Sequence, residues 1–87
     1  MYQQQTVVKC TSGLYNEQVT YFVQKANEFR CNIWVELGNK KMNAKSLLGV
    51  LSLGIVKGTA ITLIADGADE DAAIATLSEL IDSDFSE

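Results

Sequence analysis

The stretch Ile33-Trp34-Val35-Glu36-Leu37-Gly38-Asn39-Lys40-Lys41-Met42-Asn43-Ala44-Lys45-Ser46-Leu47-Leu48-Gly49-Val50-Leu51-Ser52-Leu53-Gly54 changes its hydrophobic period part-way, and that change decides the fold. Ile33, Val35 and Leu37 alternate with Trp34 and Glu36, the pattern of a strand with one face buried. Gly38-Asn39 is a two-residue hairpin signal, and Lys40 to Asn43 supplies the return strand. From Ser46 the apolar residues crowd into a run that Gly54 closes. A serine before such a run is an N-cap and a glycine after it a stop, so residues 46–53 read as a short helix. Leu47, Leu48, Val50, Leu51 and Leu53 project all round a helix of barely two turns. They cannot all face one core, so some form an apolar patch at the surface beside Ser46.

Working outward, residues 5–10 carry Val7 and Val8 among polar neighbours and read as a first strand, followed by a turn at Gly13. From Asn16 onward Val19, Phe22, Val23, Ala26 and Phe29 recur at helical spacing and make one apolar stripe. Asn16 fits an N-cap, and Glu17 suits the positive end of that helix. Residues 59–65 alternate and are rich in β-branched side chains, so they form the last strand. Asp69 caps a final helix, with Glu70 and Asp71 in its first turn and Ala73, Ile74, Leu77, Leu80 and Ile81 on its buried face. The order is βαββαβα. Helices banked on one face of a sheet give an α/β (α+β) open-faced sandwich. Its other face meets water, which Trp34, Glu36, Thr62 and Lys9 tolerate.

Composition bounds the function. A chain of 87 residues makes one domain, residues 1–87, and buries roughly 60–65% of its unfolded surface without needing staples. The net charge of -4 removes the electrostatic case for direct binding to nucleic acid or anionic lipid. No run approaches the ~20 apolar residues of a membrane span, and the first residues lack a signal pattern, so a cytoplasmic location is expected. Cys10 and Cys31 are then expected as reduced, packed thiols. There is no histidine in the chain to activate either one. Asp66, Asp69, Glu70 and Asp71 read as turn and helix-start residues rather than a cation site. No metal, cofactor or catalytic constellation is expected, and the chain does not read as an enzyme.

Three stretches carry a resemblance: Phe22-Val23-Gln24-Lys25-Ala26-Asn27-Glu28-Phe29, Gly38 to Gly54, and Ala65-Asp66-Gly67-Ala68-Asp69-Glu70. With the element order, they resemble HPr, the phosphocarrier of the bacterial sugar phosphotransferase system, over essentially the whole chain. The resemblance implies a four-stranded antiparallel sheet with the helices on one face. It also implies a phosphorylated histidine at the start of the first helix, an arginine two residues later and then a proline. Here those positions are Tyr15, Glu17 and Gln18. A tyrosine phosphate is a stable ester, and a carboxylate at Glu17 repels the phosphate that an arginine would attract. Phosphocarrier activity is therefore expected to be lost. Tyr15 is left either as a loop aromatic or as a partner contact.

The second site that the resemblance implies is intact. Ser46 stands where HPr proteins and their histidine-free Crh-type cousins are phosphorylated by HPr kinase/phosphorylase. In that family Ser46 and the neighbouring patch, here Leu47, Leu48 and Leu51, dock on the kinase and on a LacI-type carbon catabolite regulator. The cousins keep the arginine and proline, so this chain is a divergent member. A phosphate on Ser46 would lie near unsatisfied helix amides and Lys45. Three readings follow: a regulatory protein switched at Ser46, an interaction module with a different partner and no phosphorylation, or a phosphocarrier. The family implies a monomer or a weak homodimer through the first strand, with Cys10 near its end.

Overall fold

The structure is a computed structural model that describes residues 1–8 and 17–82. The elements are β1 (Tyr2–Val7), α1 (Glu17–Ala26), β2 (Asn32–Leu37), β3 (Lys40–Asn43), α2 (Leu47–Ser52), β4 (Ala60–Asp66) and α3 (Glu70–Asp82). The strands form one antiparallel sheet in the order β1-β4-β2-β3. The expected βαββαβα sandwich is the observed one. The expectations at Lys9, Cys10, Gly13, Tyr15 and Asn16 lie outside the described residues.

The register explains how one face becomes core. Val35 pairs with Leu63 and Ile33 with Ala65, and all four are buried. Val19, Phe22 and Ala26 of α1 and Ala73, Ile74, Leu77 and Ile81 of α3 cover them. Each of the larger side chains contributes about 1.5–3 kcal/mol by leaving water. The β2–β3 connection is the anticipated two-residue turn: Leu37 pairs with Lys40, and Gly38 takes φ of 61°, which L side chains adopt at a cost.

The first strand runs over Tyr2–Val7 rather than residues 5–10. The glutamines at positions 3 to 5 have no strand signature of their own; they are held because β4 offers a free edge, pairing Gln3 with Ile64 and Gln5 with Thr62. Thr6 and Val8 are buried and Val7 is exposed. Thr6 Oγ1 donates to Asp82 Oδ1 at 3.1 Å, which ties β1 to the end of α3.

Asp69 also departs from expectation. Its backbone carbonyl starts α3, but its carboxylate does not cap that helix. It accepts from the backbone N–H groups of Arg30 at 2.8 Å and Cys31 at 2.9 Å, stitching the α1–β2 loop to the β4–α3 loop. These bonds, the Arg30 N–H first, hold the Asp69 carboxyl below the usual carboxylate range. Burial, helped by Asp69, pushes the Cys31 thiol up to about 11. Gly67, at φ of 154°, passes so close that a Cβ there would lie 2.6 Å from Cys31 Cβ.

Candidate functional site

The site is built by the link between β3 and α2. Ala44 is buried, and its N–H donates to Ile33 O at 2.9 Å, fixing where the chain leaves the sheet. Asn43 Oδ1 accepts from Lys45 N at 2.9 Å, and Asn43 O from Ser46 N at 3.0 Å, so the chain turns within three residues. Ser46 then takes an extended backbone with φ of -105° and ψ of 115°, and its Oγ accepts from Gly49 N at 3.1 Å. That is the anticipated N-cap. Ser46 remains partly exposed.

Lys45, the residue before Ser46, bonds to the loop that follows α1. Its Nζ donates to Phe29 O at 2.7 Å, and its carbonyl accepts from Asn27 Nδ2 at 3.4 Å. The lysine places its positive charge at the carbonyl end beyond α1. The segment before Ser46 is thereby tied to the C-terminal end of α1.

The apolar run of α2 divides as the geometry of a short helix demands. Val50 and Leu53 are buried, while Leu47, Leu48 and Leu51 are 41%, 79% and 37% exposed. Leu47 and Leu51 are four residues apart and share one face. With Glu17, Thr20, Tyr21 and Gln24 of α1 they line a shallow groove of about 480 Å³. Leu48 lies outside that lining. Of the residues read from the sequence, the structure therefore brings together Glu17, Leu47 and Leu51, with Ser46 immediately before Leu47. Tyr15 is not among the described residues.

Thr20, Tyr21 and Gln24 were not singled out from the sequence. The signal was present: with Glu17 they recur at helical spacing opposite the stripe of Val19, Phe22 and Ala26. Lys25 Nζ sits 5.7 Å from the centre of the Tyr21 ring, and 3.8 Å from Glu28 Oε2.

The comparisons with known proteins bear on the whole chain. Residues 2–83 match the family model described as the PTS HPr component phosphorylation site. The chain belongs to the HPr family. It is 41% identical over 81 residues to the HPr-like protein Crh of Bacillus subtilis, covering 93% of this chain and 95% of that one. The HPr of Thermoanaerobacter tengcongensis superposes with a TM-score of 0.97 at 44% identity, covering 100% of this chain and 98% of that chain. The crystal structure of B. subtilis Crh, described as an intertwined dimer with a swapped domain, gives a TM-score of 0.78 at 38% identity over the full length of both chains. This HPr-family chain is a protein of the carrier and regulator type and not an enzyme.

Among the described residues no three His, Cys, Asp or Glu side chains are grouped to hold a metal ion. Among the same residues no helix is long and apolar enough to cross a membrane.

Proposed function

We propose that this HPr-family protein is a regulatory protein of carbon metabolism, a single domain over residues 1–87, that has given up phosphoryl carriage and works through a phosphate on Ser46. The observation that carries the reading is the placement of Ser46: a partly exposed serine at the start of α2, next to the exposed Leu47 and Leu51. In the proposed step, Ser46 Oγ attacks the γ-phosphorus of ATP on an HPr kinase/phosphorylase. A new O–P bond forms, the β–γ bridge breaks with ADP leaving, and the serine proton passes to a base of the kinase. The phosphoprotein then binds a LacI-type catabolite regulator through Leu47, Leu48, Leu51, Glu17 and Tyr15. No cofactor and no direct contact with nucleic acid enter this reading, and it implies action in the cytoplasm.

Incubation with ATP and an HPr kinase/phosphorylase, followed by intact-mass analysis, tests this. The expected result is one added phosphate that Ser46→Ala abolishes. No uptake by the unaltered protein overturns the reading and favours the second one, an HPr-fold interaction module with a different partner. Glu17 is the observation behind that alternative, because it puts a carboxylate on the groove where the family carries an arginine. A phosphocarrier role is rejected, since the chain has no histidine; transfer of label from phosphoenolpyruvate through the upstream enzyme would overturn that rejection.

For assembly we propose a monomer in equilibrium with a weak homodimer through β1. That strand is an edge of the sheet, and the swapped Crh dimer supports the idea. Sedimentation that shows a monomer at millimolar concentration would exclude it.

A further inference from the structure

We propose that the α1–α2 groove is built for a protein segment that carries a cationic side chain: an arginine or lysine set against Glu17, with apolar neighbours seated on Leu47 and Leu51. This deepens the docking surface proposed above and rests on that reading.

Among the described residues, Glu17 is the one charged side chain of the groove lining. It is exposed, and among the described residues it has no ion-pair partner. Among the described residues, two cations have partners other than Glu17, although Lys25 does so over the ring of the groove-lining Tyr21. Lys25, the only basic residue of α1, lies over the Tyr21 ring and beside Glu28. Lys45 Nζ is held by Phe29 O.

Among the described residues the groove thus sets two leucines beside a carboxylate that has no ion-pair partner. A partner that covers Leu47 and Leu51 takes water from that carboxylate. With a neutral or acidic segment Glu17 is left desolvated and unpaired, or faces a like charge, and both are costly. A guanidinium or ammonium group on the partner removes that cost, so the groove selects for one by penalising the alternatives. The apolar share of the lining calls for a protein segment rather than a free cation.

A phosphate on Ser46 works in the same direction. It adds about -1.5 to -2 charge at the residue immediately before the groove-lining Leu47. Phosphorylation therefore strengthens a preference that Glu17 already sets.

The test uses two synthetic helical peptides with leucines four residues apart, identical except for Arg or Glu at the flanking position. Each is titrated into the isotope-labelled full chain while the amide signals of α1 and α2 are followed. The arginine peptide is expected to shift residues along the groove and to bind about tenfold tighter at low salt than the glutamate peptide. Glu17→Gln should bring the two within about twofold, and Glu17→Arg should reverse their order; both variants sit at an exposed position and should keep the wild-type circular dichroism spectrum. Molar salt should erase the difference. Equal binding of the two peptides, binding of neither, or an order unchanged in Glu17→Arg overturns the proposal. The protein phosphorylated at Ser46 should show a larger arginine preference, and a preference indifferent to the phosphate refutes the link to the switch. Uptake of phosphate without any ranking of the peptides sinks this inference alone. A ranking without phosphate uptake sinks the Ser46 reading alone.

Discussion

Replacing Gly49 by alanine should separate the stability of α2 from its chemistry. A Cβ built on Gly49 lies 3.2 Å from Ser46 Oγ, 3.3 Å from Ser46 Cβ and 3.5 Å from Met42 Cβ. The last is ordinary contact, whereas the first two are short by a few tenths of an ångström relative to normal carbon–carbon and carbon–oxygen approach. Two effects on stability oppose each other. Alanine inside a helix is better than glycine by about 0.8–1 kcal/mol. Against that, the serine must turn away, which weakens the bond that Gly49 N makes to Ser46 Oγ at 3.1 Å. Losing such a cap costs about 1 kcal/mol. The sum lies within about 0.5 kcal/mol of zero. For a domain of this size 1 kcal/mol moves the Tm by about 4–8 °C, so the expected shift is under about 4 °C in either direction. Phosphorylation responds differently. The new methyl group occupies space next to the nucleophilic oxygen, where the γ-phosphorus and its three oxygens must sit. A fall of at least about tenfold in the rate of phosphate uptake is expected, equivalent to about 1.4 kcal/mol on the barrier. Thermal unfolding by circular dichroism and a time course of intact mass with the kinase provide the two readings. A Tm displaced by 10 °C would show that the opposing terms do not cancel. An unchanged phosphorylation rate would show that the phosphate does not form on the side of Ser46 that Gly49 leaves open.

Gly67→Ala is expected to be severely destabilising, by about 2–5 kcal/mol, from overpacking against Cys31 combined with strain at a φ of 154°. Gly58→Ala has nothing within 4 Å of the new Cβ, so in urea unfolding it should lose only the cost of its positive φ and be clearly milder. Asp69→Asn should flatten the acid limb of the stability curve. The Asp69 carboxyl is held low, so its contribution is present above the unfolded pKa near 4 and is lost as pH falls through the native value; an acid limb unchanged in the variant would refute this. Cys31, raised to about 11, should resist iodoacetamide at pH 8 in the native state and react once urea unfolds the chain. Its contribution to stability is present below the unfolded thiol pKa and fades as pH rises through about 11, so the alkaline limb should be shallower in Cys31→Ala. Rapid native labelling mapped to the Cys31 peptide would contradict the burial.

What could be read from the sequence was what local periodicity writes directly. Ile33, Val35 and Leu37 declare an inward face through alternation, Gly38-Asn39 declares the hairpin, and Ser46 with Gly54 brackets α2. What escaped depends on partners distant in the chain. Gln3 to Gln5 become strand because β4 has an edge to fill, which no property of glutamine announces. Ile64 faces the open side of the sheet and is nevertheless 5% exposed, because Trp34 and Gln3 flank it across the neighbouring strands. Lys41 lies over that tryptophan, 5.2 Å from the ring centre. Asp69 looked like a cap for its own helix because N-cap position and side-chain destination coincide in most helices. Here the two separate, since the α1–β2 loop presents two N–H groups to the same carboxylate. The site was legible in parts for the same reason. Ser46, Leu47 and Leu51 lie in one local run, whereas their meeting with Thr20, Tyr21 and Gln24 is a product of tertiary packing.

That packing bears on why a change at Glu17 matters more than its place in the first turn of α1 implies. The family resemblance implies carriage chemistry at positions 15 and 17, and the proposed switch belongs to Ser46. Were these separate surfaces, losing the carrier would leave the switch untouched. The groove joins them, because Glu17 lines the same concavity as Leu47 and Leu51. An arginine there would bring a positive charge toward a Ser46 phosphate and offset it, and a partner would meet a nearly balanced field. A carboxylate adds to the phosphate instead, so modification would make the docking face more negative. Like charges on one face cost the protein little while they are in water, because solvent screens them. They become expensive when a partner excludes that water, unless the partner brings the counter-charges. On the proposed reading, a glutamate where the family resemblance implies an arginine would weaken phosphate binding at the carrier position and change which proteins the groove accepts.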